Sequence, residues 1–426
     1  MCDGMGPMAD QSTRLTTREA AERLGVKPET VYAYVSRGLL TSRRATGGRG
    51  STFDAKEVEA LARRSARRPG DDTPASGAGA GPGAGALGAI RTGITLIDQD
   101  RYYFRGVDAT ELAERYGYEE IAEWLWTGVM RPGTRFTSPE RTLAAARRSV
   151  AALPAHSGPM DRLRVTAIAA AAADPLRFDL SPEAVLGSAR SLIPTLVDAL
   201  PPAGRPHRGE GRLAWRLWSR LTERTPEDAS LRVLDAALAL LIDHDLAAST
   251  LAVRVAASAR AHPYAVVSAG LGALEGPLHG AASGLAHRFL VEVLERGGAA
   301  PVVADHLRTG RGVPGLGHRL YSGDDPRARM LFRLLDAVPQ AAPALAAARD
   351  VVETAARHTP LHANVDLALA VLSVSSAMPA EAGETVFAVA RTAGWIAHAL
   401  EEYAEPPLRM RPVGRYDGPK PPQPLP

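Results

Sequence analysis

Cysteine is almost absent from this chain: Cys2 is the single thiol in 426 residues. One thiol excludes an intramolecular disulfide and a cysteine-cluster zinc site, and it predicts a reducing, cytoplasmic setting. Aromatic residues are scarce too, at 5%, while Ala and Leu dominate. Strands draw on aromatic and β-branched side chains and helices on Ala and Leu, so a mainly helical fold is expected. No apolar run reaches membrane length; the best, Ala236–Ile242, is bracketed by Asp235 and Asp243. Residues Met1–Asp10 lack the basic-then-apolar order of a secretion signal. No membrane partner is expected, and no histidine spacing points to a metal.

The charge is small overall, +3, but unevenly spread. Between Ser12 and Arg68 thirteen basic residues face six acidic ones, which leaves the remainder net acidic. Residues 69–88 are rich in Gly, Ala and Pro, cannot form a core, and read as a flexible linker. The spacing predicts a domain over 12–68, the linker over 69–88, a large domain over 89–418 and a Pro-rich tail over 419–426. In the first, Thr17–Gly25 reads as a capped amphipathic helix, Glu29–Ser36 as a second helix after a tight turn, and Ala55–Arg68 as a third. Helix, turn, helix is a pattern that sets its second helix in a DNA major groove.

Beyond the linker, Thr95–Phe104 alternates weakly, as a short hairpin would. From Asp108 onward the pattern is helical, broken at Gly and Pro, with segments such as Tyr118–Thr127, Pro139–Ala152, Ser230–Asp243, Gly284–Arg296 and Thr385–Tyr403. This is a large all-α domain.

Three segments at turn-to-helix junctions carry chemistry. In Gly276–Gly284, His279 sits among small residues; a helix dipole there would keep its ring neutral and able to donate to a developing enolate oxygen. It could equally be a helix-terminal histidine satisfied by backbone. In Val313–Tyr321, Gly315, Gly317 and His318 offer backbone N–H groups beside a titratable ring, and Arg327, after an Asp-Pro turn, suits bidentate contact with a carboxylate. In His362–Asp366, Asp366 opens an apolar helix, where desolvation would raise its pKa and the helix dipole would lower it. Arg391, within an otherwise apolar helix, demands an anion from the protein or from a ligand.

These segments, with Phe104-Arg105-Gly106 and the Arg391-Thr392-Ala393-Gly394-Trp395 run, resemble the signature of the citrate synthase family over about Gly93–Gly418. The resemblance implies the citrate synthase fold, with a large and a small helical subdomain. It implies condensation of acetyl-CoA with oxaloacetate through an enol or enolate and a citryl thioester, with no cofactor beyond the acyl-CoA substrate. Asp366 would be the base, His279 the thioester-oxygen donor and His318 the acid toward the keto group. Arg327 and Arg391 would bind carboxylates, His244 the oxo acid, and Arg411 would reach in from the other subunit of a homodimer. Backbone at Val313, Gly315, Leu316 and Gly317 would meet CoA. Asp245, Ala247 and Ala281 depart from the usual family residues, which leaves propionyl-CoA, and hence 2-methylcitrate, as the alternative.

Leu15–Leu39 resembles the MerR and excisionase type of winged helix-turn-helix. By that resemblance Lys27, Thr30, Tyr34 and Arg37 would face DNA and Arg43 and Arg44 would touch phosphates from the wing. The module could also be a regulatory or protein-binding appendage. A regulator that keeps the synthase fold as a metabolite sensor is the reading from another class; it would tolerate loss of Asp366, which is present here.

Overall fold

A computed structural model describes residues 14–24, 31, 35, 40–44, 51–59, 90–204, 211–276, 279–358, 360–412 and 416–423. The chain divides into two compact units, Met1–Ser76 and Gly77–Pro426.

In the first unit β1 (Arg14–Thr16), β2 (Ser42–Arg44) and β3 (Ser51–Asp54) form an antiparallel sheet in the order β1-β3-β2. Thr16 starts the helix Thr17–Leu24: its N–H and hydroxyl both donate to Glu19, whose carboxylate is held below its usual pKa by those bonds. Ala20 and Ala21 of this helix pack with Leu15, Val31, Leu40, Phe53 and Val58 in a small closed core. β2 and β3 occupy the ground expected for the wing. β1, whose Leu15 pairs with Phe53, was not expected from the sequence. Of the predicted second helix Glu29–Ser36 only Val31 and Val35 are described, both helical. The rest of it, the linker over 69–88, and Lys27, Thr30, Tyr34 and Arg37 lie outside the described residues, as do the side chains of Arg43 and Arg44.

The second unit opens on the expected hairpin, β4 (Thr95–Asp98) with β5 (Arg101–Phe104), extended by β6 (Val107–Asp108). Helices follow. Long apolar helices dominate because Ala, Leu and Val recur on inward faces, and one continuous core runs from Ile94 to Ala399. Three details of this packing make the site.

First, the helix Asp228–Leu240 stops three residues short of the expected Asp243. Its last turn is capped from outside: the Tyr102 hydroxyl donates to the Leu240 carbonyl at 3.2 Å and Arg391 Nε donates to the Leu241 carbonyl at 2.9 Å. With those carbonyls taken, the chain turns and presents Asp243 and His244.

Second, the helix Ala382–Ala404 crosses this turn at Gly394, where a Cβ would overlap the Ile242 carbonyl. Glycine therefore sets how close Arg391 and His398 come to Asp243.

Third, the loop before His318 pairs with the segment before Asp366. Gly317 N–H donates to the His362 carbonyl at 2.8 Å, Asn364 N–H to the Gly315 carbonyl at 2.9 Å, and Asn364 Nδ2 to the Gly317 carbonyl at 2.9 Å. Gly315 has φ +82°, and a Cβ there would lie 2.8 Å from Leu367 Cβ.

Among the described residues no helix is long and apolar enough to cross a membrane, and no group of three or more His, Cys, Asp or Glu side chains is arranged to hold a metal.

Candidate active site

These three details converge on one cavity of about 750 Å³, lined by His244, His279, His318, Arg327, Asp366 and Arg391 together with Asp245, Arg319, Asn364, Phe387 and small or apolar residues. Six residues selected from sequence, spread over 148 positions, thus share one space.

Asp366 lies in the first turn of the helix Val365–Ser375, with Asn364 as N-cap accepting its N–H at 3.0 Å. Burial raises the Asp366 pKa to about 6, and Asp325 adds to the rise while Arg327 opposes it. Desolvation is the largest of these influences, the one that the apolar sequence around Asp366 suggested.

His279 is neutral for a different reason than expected. The following helix begins only at Ala282, and the ring sits before it in a tight turn in which His279 N–H reaches the Gly276 carbonyl at 2.9 Å. Burial, then the positive charge of Arg391, lowers its pKa to about 4. Its Nε2 lies 2.8 Å from Ser249 Oγ, on the helix Ala248–Ser258. A serine hydroxyl can donate or accept; the tautomer in which it donates to Nε2 is the one that carries the ring proton on Nδ1.

His318 is likewise neutral, lowered to about 4 by burial and then by Arg327. Leu320 N–H donates to its Nδ1 at 3.0 Å, so the proton resides on Nε2. The His244 ring stands edge-on to it at 5.0 Å, and His244 Nε2 is 2.7 Å from the Tyr321 hydroxyl. Burial lowers His244 well below the ordinary histidine range, with Arg327, His318 and Arg391 adding to it.

The two arginines differ. Arg327 does not offer the bidentate face expected of it: Nε and Nη2 already hold Asp325 at 3.0 and 2.8 Å. Asp325 also accepts the N–H groups of Arg327 and Val365, which ties the two helix starts together. A ligand meets only the remaining edge of that guanidinium. Arg391 is 1% exposed, lies over the Phe387 ring at 4.5 Å, and leaves Nη1 and Nη2 buried without a hydrogen-bond partner. Burial, partly offset by Asp243, lowers its pKa to about 10, so the charge persists at neutral pH.

Behind the site, Asp243 accepts from Thr95 at 2.6 Å and contacts His398 Nε2 at 3.2 Å. His398 Nδ1 in turn meets Arg254 at 2.8 Å. Burial alone would raise the Asp243 pKa; His398, with Arg391 and Thr95, outweighs it and holds the carboxylate ionised. Sequence reasoning gave no role to Ser249, Tyr321, Asp325, Asn364, Phe387 or His398. All but Ser249 sat inside or beside one of the quoted motifs, which marked the segment but not the role of these side chains.

Of the residues expected to meet CoA, Val313, Gly315, Leu316 and Gly317, only Gly317 lines this cavity. Val313 is buried, and the Gly317 N–H and both glycine carbonyls are spent on the pairing with residues 362–364. Arg411 is exposed and does not line this cavity; Val413–Arg415, next to it, lie outside the described residues.

A desolvated carboxylate with a raised pKa, two histidines held neutral and a buried guanidinium with unpartnered donors gather in one cavity of a helical fold, a set of groups suited to acyl transfer. The family profile "Citrate synthase, C-terminal domain" matches residues 83–413, and "Helix-turn-helix domain" matches 14–66. Citrate synthase of Haloferax volcanii is 31% identical over 355 residues, covering 77% of this chain and 93% of its own. Citrate synthase 2 of Bacillus subtilis is 29% identical, covering 78% and 94%. The crystal structure of Thermotoga maritima citrate synthase superposes with TM-score 0.62 at 26% identity, covering 81% of this chain and 98% of that one. The ternary complex of Thermoplasma acidophilum citrate synthase with carboxymethyl coenzyme A and oxaloacetate shares the fold at 22% identity, TM-score 0.64, covering 80% and 96%. The chain belongs to the citrate synthase family.

Proposed function

We propose that the chain condenses acetyl-CoA with oxaloacetate to give citrate and CoA, without a metal or other cofactor. Asp366 removes a proton from the thioester methyl group as His279 Nδ1 donates to the thioester oxygen, giving an enol or enolate. Its carbon attacks the oxaloacetate keto carbon, and His318 Nε2 gives its proton to the oxygen that becomes the hydroxyl. Water then cleaves the citryl thioester. Arg391 and the free edge of Arg327 bind substrate carboxylates and His244 orients the oxo acid. The observation that carries this reading is Arg391, whose two unpartnered, buried nitrogens require an anionic ligand.

The product would enter the tricarboxylic acid cycle, and the setting is the cytoplasm. We infer a homodimer in which Arg411 completes the neighbour's site. Supporting it, Arg411 is exposed rather than in its own cavity, and Ile168, Leu176, Phe178, Val255 and Leu408 are exposed apolar side chains. For CoA, Gly317 is the residue of the 313–317 loop that lines the cavity.

Propionyl-CoA is the second reading, favoured by the small side chains of Ala247, Ala248 and Ala282 in the cavity lining. Thiol release measured with oxaloacetate and either thioester decides: higher kcat/KM with acetyl-CoA supports the assignment, preference for propionyl-CoA makes the chain a 2-methylcitrate synthase, and release from neither refutes the enzyme. For the N-terminal unit we propose DNA as partner, supported by its basic balance and the helix-turn-helix match. Binding of the full chain to duplex DNA must then weaken steeply with salt.

A further inference from the structure

A second cavity, of about 340 Å³, shares no lining residue with the first. It lies where the helices Glu140–Ala151 and Leu213–Leu221 meet the C-terminal end of Pro182–Asp198. Arg147, Arg216 and Arg220 line it, against a single acid, Asp198, with Ser138 and Trp215 beside them.

That acid is already used. Arg216 Nε donates to Asp198 Oδ1 at 3.0 Å and Arg216 Nη2 to Oδ2, while the Ser138 hydroxyl reaches Oδ2 at 2.6 Å. Arg216 Nη1 also donates to the Phe136 carbonyl at 2.7 Å. The pair Arg216–Asp198 is therefore a closed structural unit. Arg147 and Arg220 are left over. Arg147 spends one donor, Nε, on the Asp198 backbone carbonyl at 3.2 Å. Arg220 has its Nε buried with no hydrogen-bond partner. Burial lowers the Arg220 pKa, and Arg147 and Arg216 push the same way against Asp198. Three guanidiniums around one spent carboxylate give the cavity a surplus of two positive charges and a set of donors approaching from different helices.

We propose that this cavity binds a phosphate group, held between Arg147 and Arg220. A tetrahedral dianion matches the charge surplus and accepts from donors in several directions, whereas a carboxylate takes one planar fork. The inference is independent of the condensing activity.

The test is calorimetric titration of the full chain with inorganic phosphate and with AMP, at ionic strength held constant with chloride. Wild type, Arg220→Gln, Arg147→Gln and Arg391→Gln are compared, since the acyl-CoA cavity also contains arginines. Saturable binding that Arg220→Gln and Arg147→Gln each weaken about tenfold, and that Arg391→Gln leaves intact, is expected. AMP tighter than phosphate identifies a nucleotide as source, and equal affinity identifies free phosphate. Arg147 is exposed, so its variant folds even if Arg220→Gln does not. Absence of saturable binding, or binding lost only in Arg391→Gln, overturns the proposal.

Discussion

Arg391 donates through Nε to the carbonyl of Leu241 at 2.9 Å, and in doing so ends one helix while pointing its other two nitrogens, unpartnered, into the cavity. One side chain thus both shapes the turn carrying His244 and supplies the buried charge that calls for a ligand.

An unpaired buried cation costs stability in the empty protein. Arg391→Met removes that charge but also the donor to the Leu241 carbonyl and a counter-charge to Asp243, so the ligand-free stability is expected to change by no more than about 1–3 kcal/mol. The same variant loses stabilisation by oxaloacetate. Thermal unfolding with and without the oxo acid reads both effects; a variant still stabilised by it contradicts the role.

The catalytic pH dependence follows from Asp366. A base must be ionised, so kcat/KM is expected to fall about tenfold per pH unit below the Asp366 pKa of about 6 and to be flat above it. His279 and His318, both lowered to about 4, stay neutral across that range and add no inflection. A pH profile with its acid limb near 4 would mean an unperturbed carboxylate.

Much of this was legible in the sequence, and unevenly. His279 and His318 stand beside glycines in turns and loops, and Asp366 opens an apolar helix after an Asn cap, where local chemistry marks them. The hairpin and most helices followed from periodicity. Local pattern cannot show what a side chain spends its bonds on. Arg327 looked available for a carboxylate until Asp325, two residues earlier, was found holding its fork. Gly315 and Gly317 looked like an open backbone loop until residues 362–364 paired with them. The end of the helix at Leu240 depends on Tyr102 and Arg391, distant in the chain, so its apolar pattern ran on to Asp243.

Ser249 is such a distant partner, and its role is measurable. Ser249→Ala removes the 2.8 Å contact to His279 Nε2. A loss of about tenfold in kcat is expected, the kinetic equivalent of roughly one hydrogen bond of 1.4 kcal/mol, with KM for oxaloacetate unchanged. A change confined to that KM would instead assign Ser249 to oxo-acid binding.

Subunit exchange tests Arg411. Arg411→Ala and Asp366→Asn subunits are each inactive in this account, yet a mixed dimer contains one site with Asp366 from one subunit and Arg411 from the other. Mixing the two variants under conditions that reassort subunits is expected to restore activity. No recovery, with mixed dimers demonstrated by mass spectrometry, would place Arg411 outside the active site.

The central claim is that Asp366 is the base of a condensation. The most direct measurement is thiol release from acetyl-CoA and oxaloacetate by Asp366→Asn against wild type, with oxaloacetate binding measured on both. The account predicts a fall in kcat of about 10²–10⁴ with oxaloacetate affinity retained; turnover near the wild-type rate would contradict it.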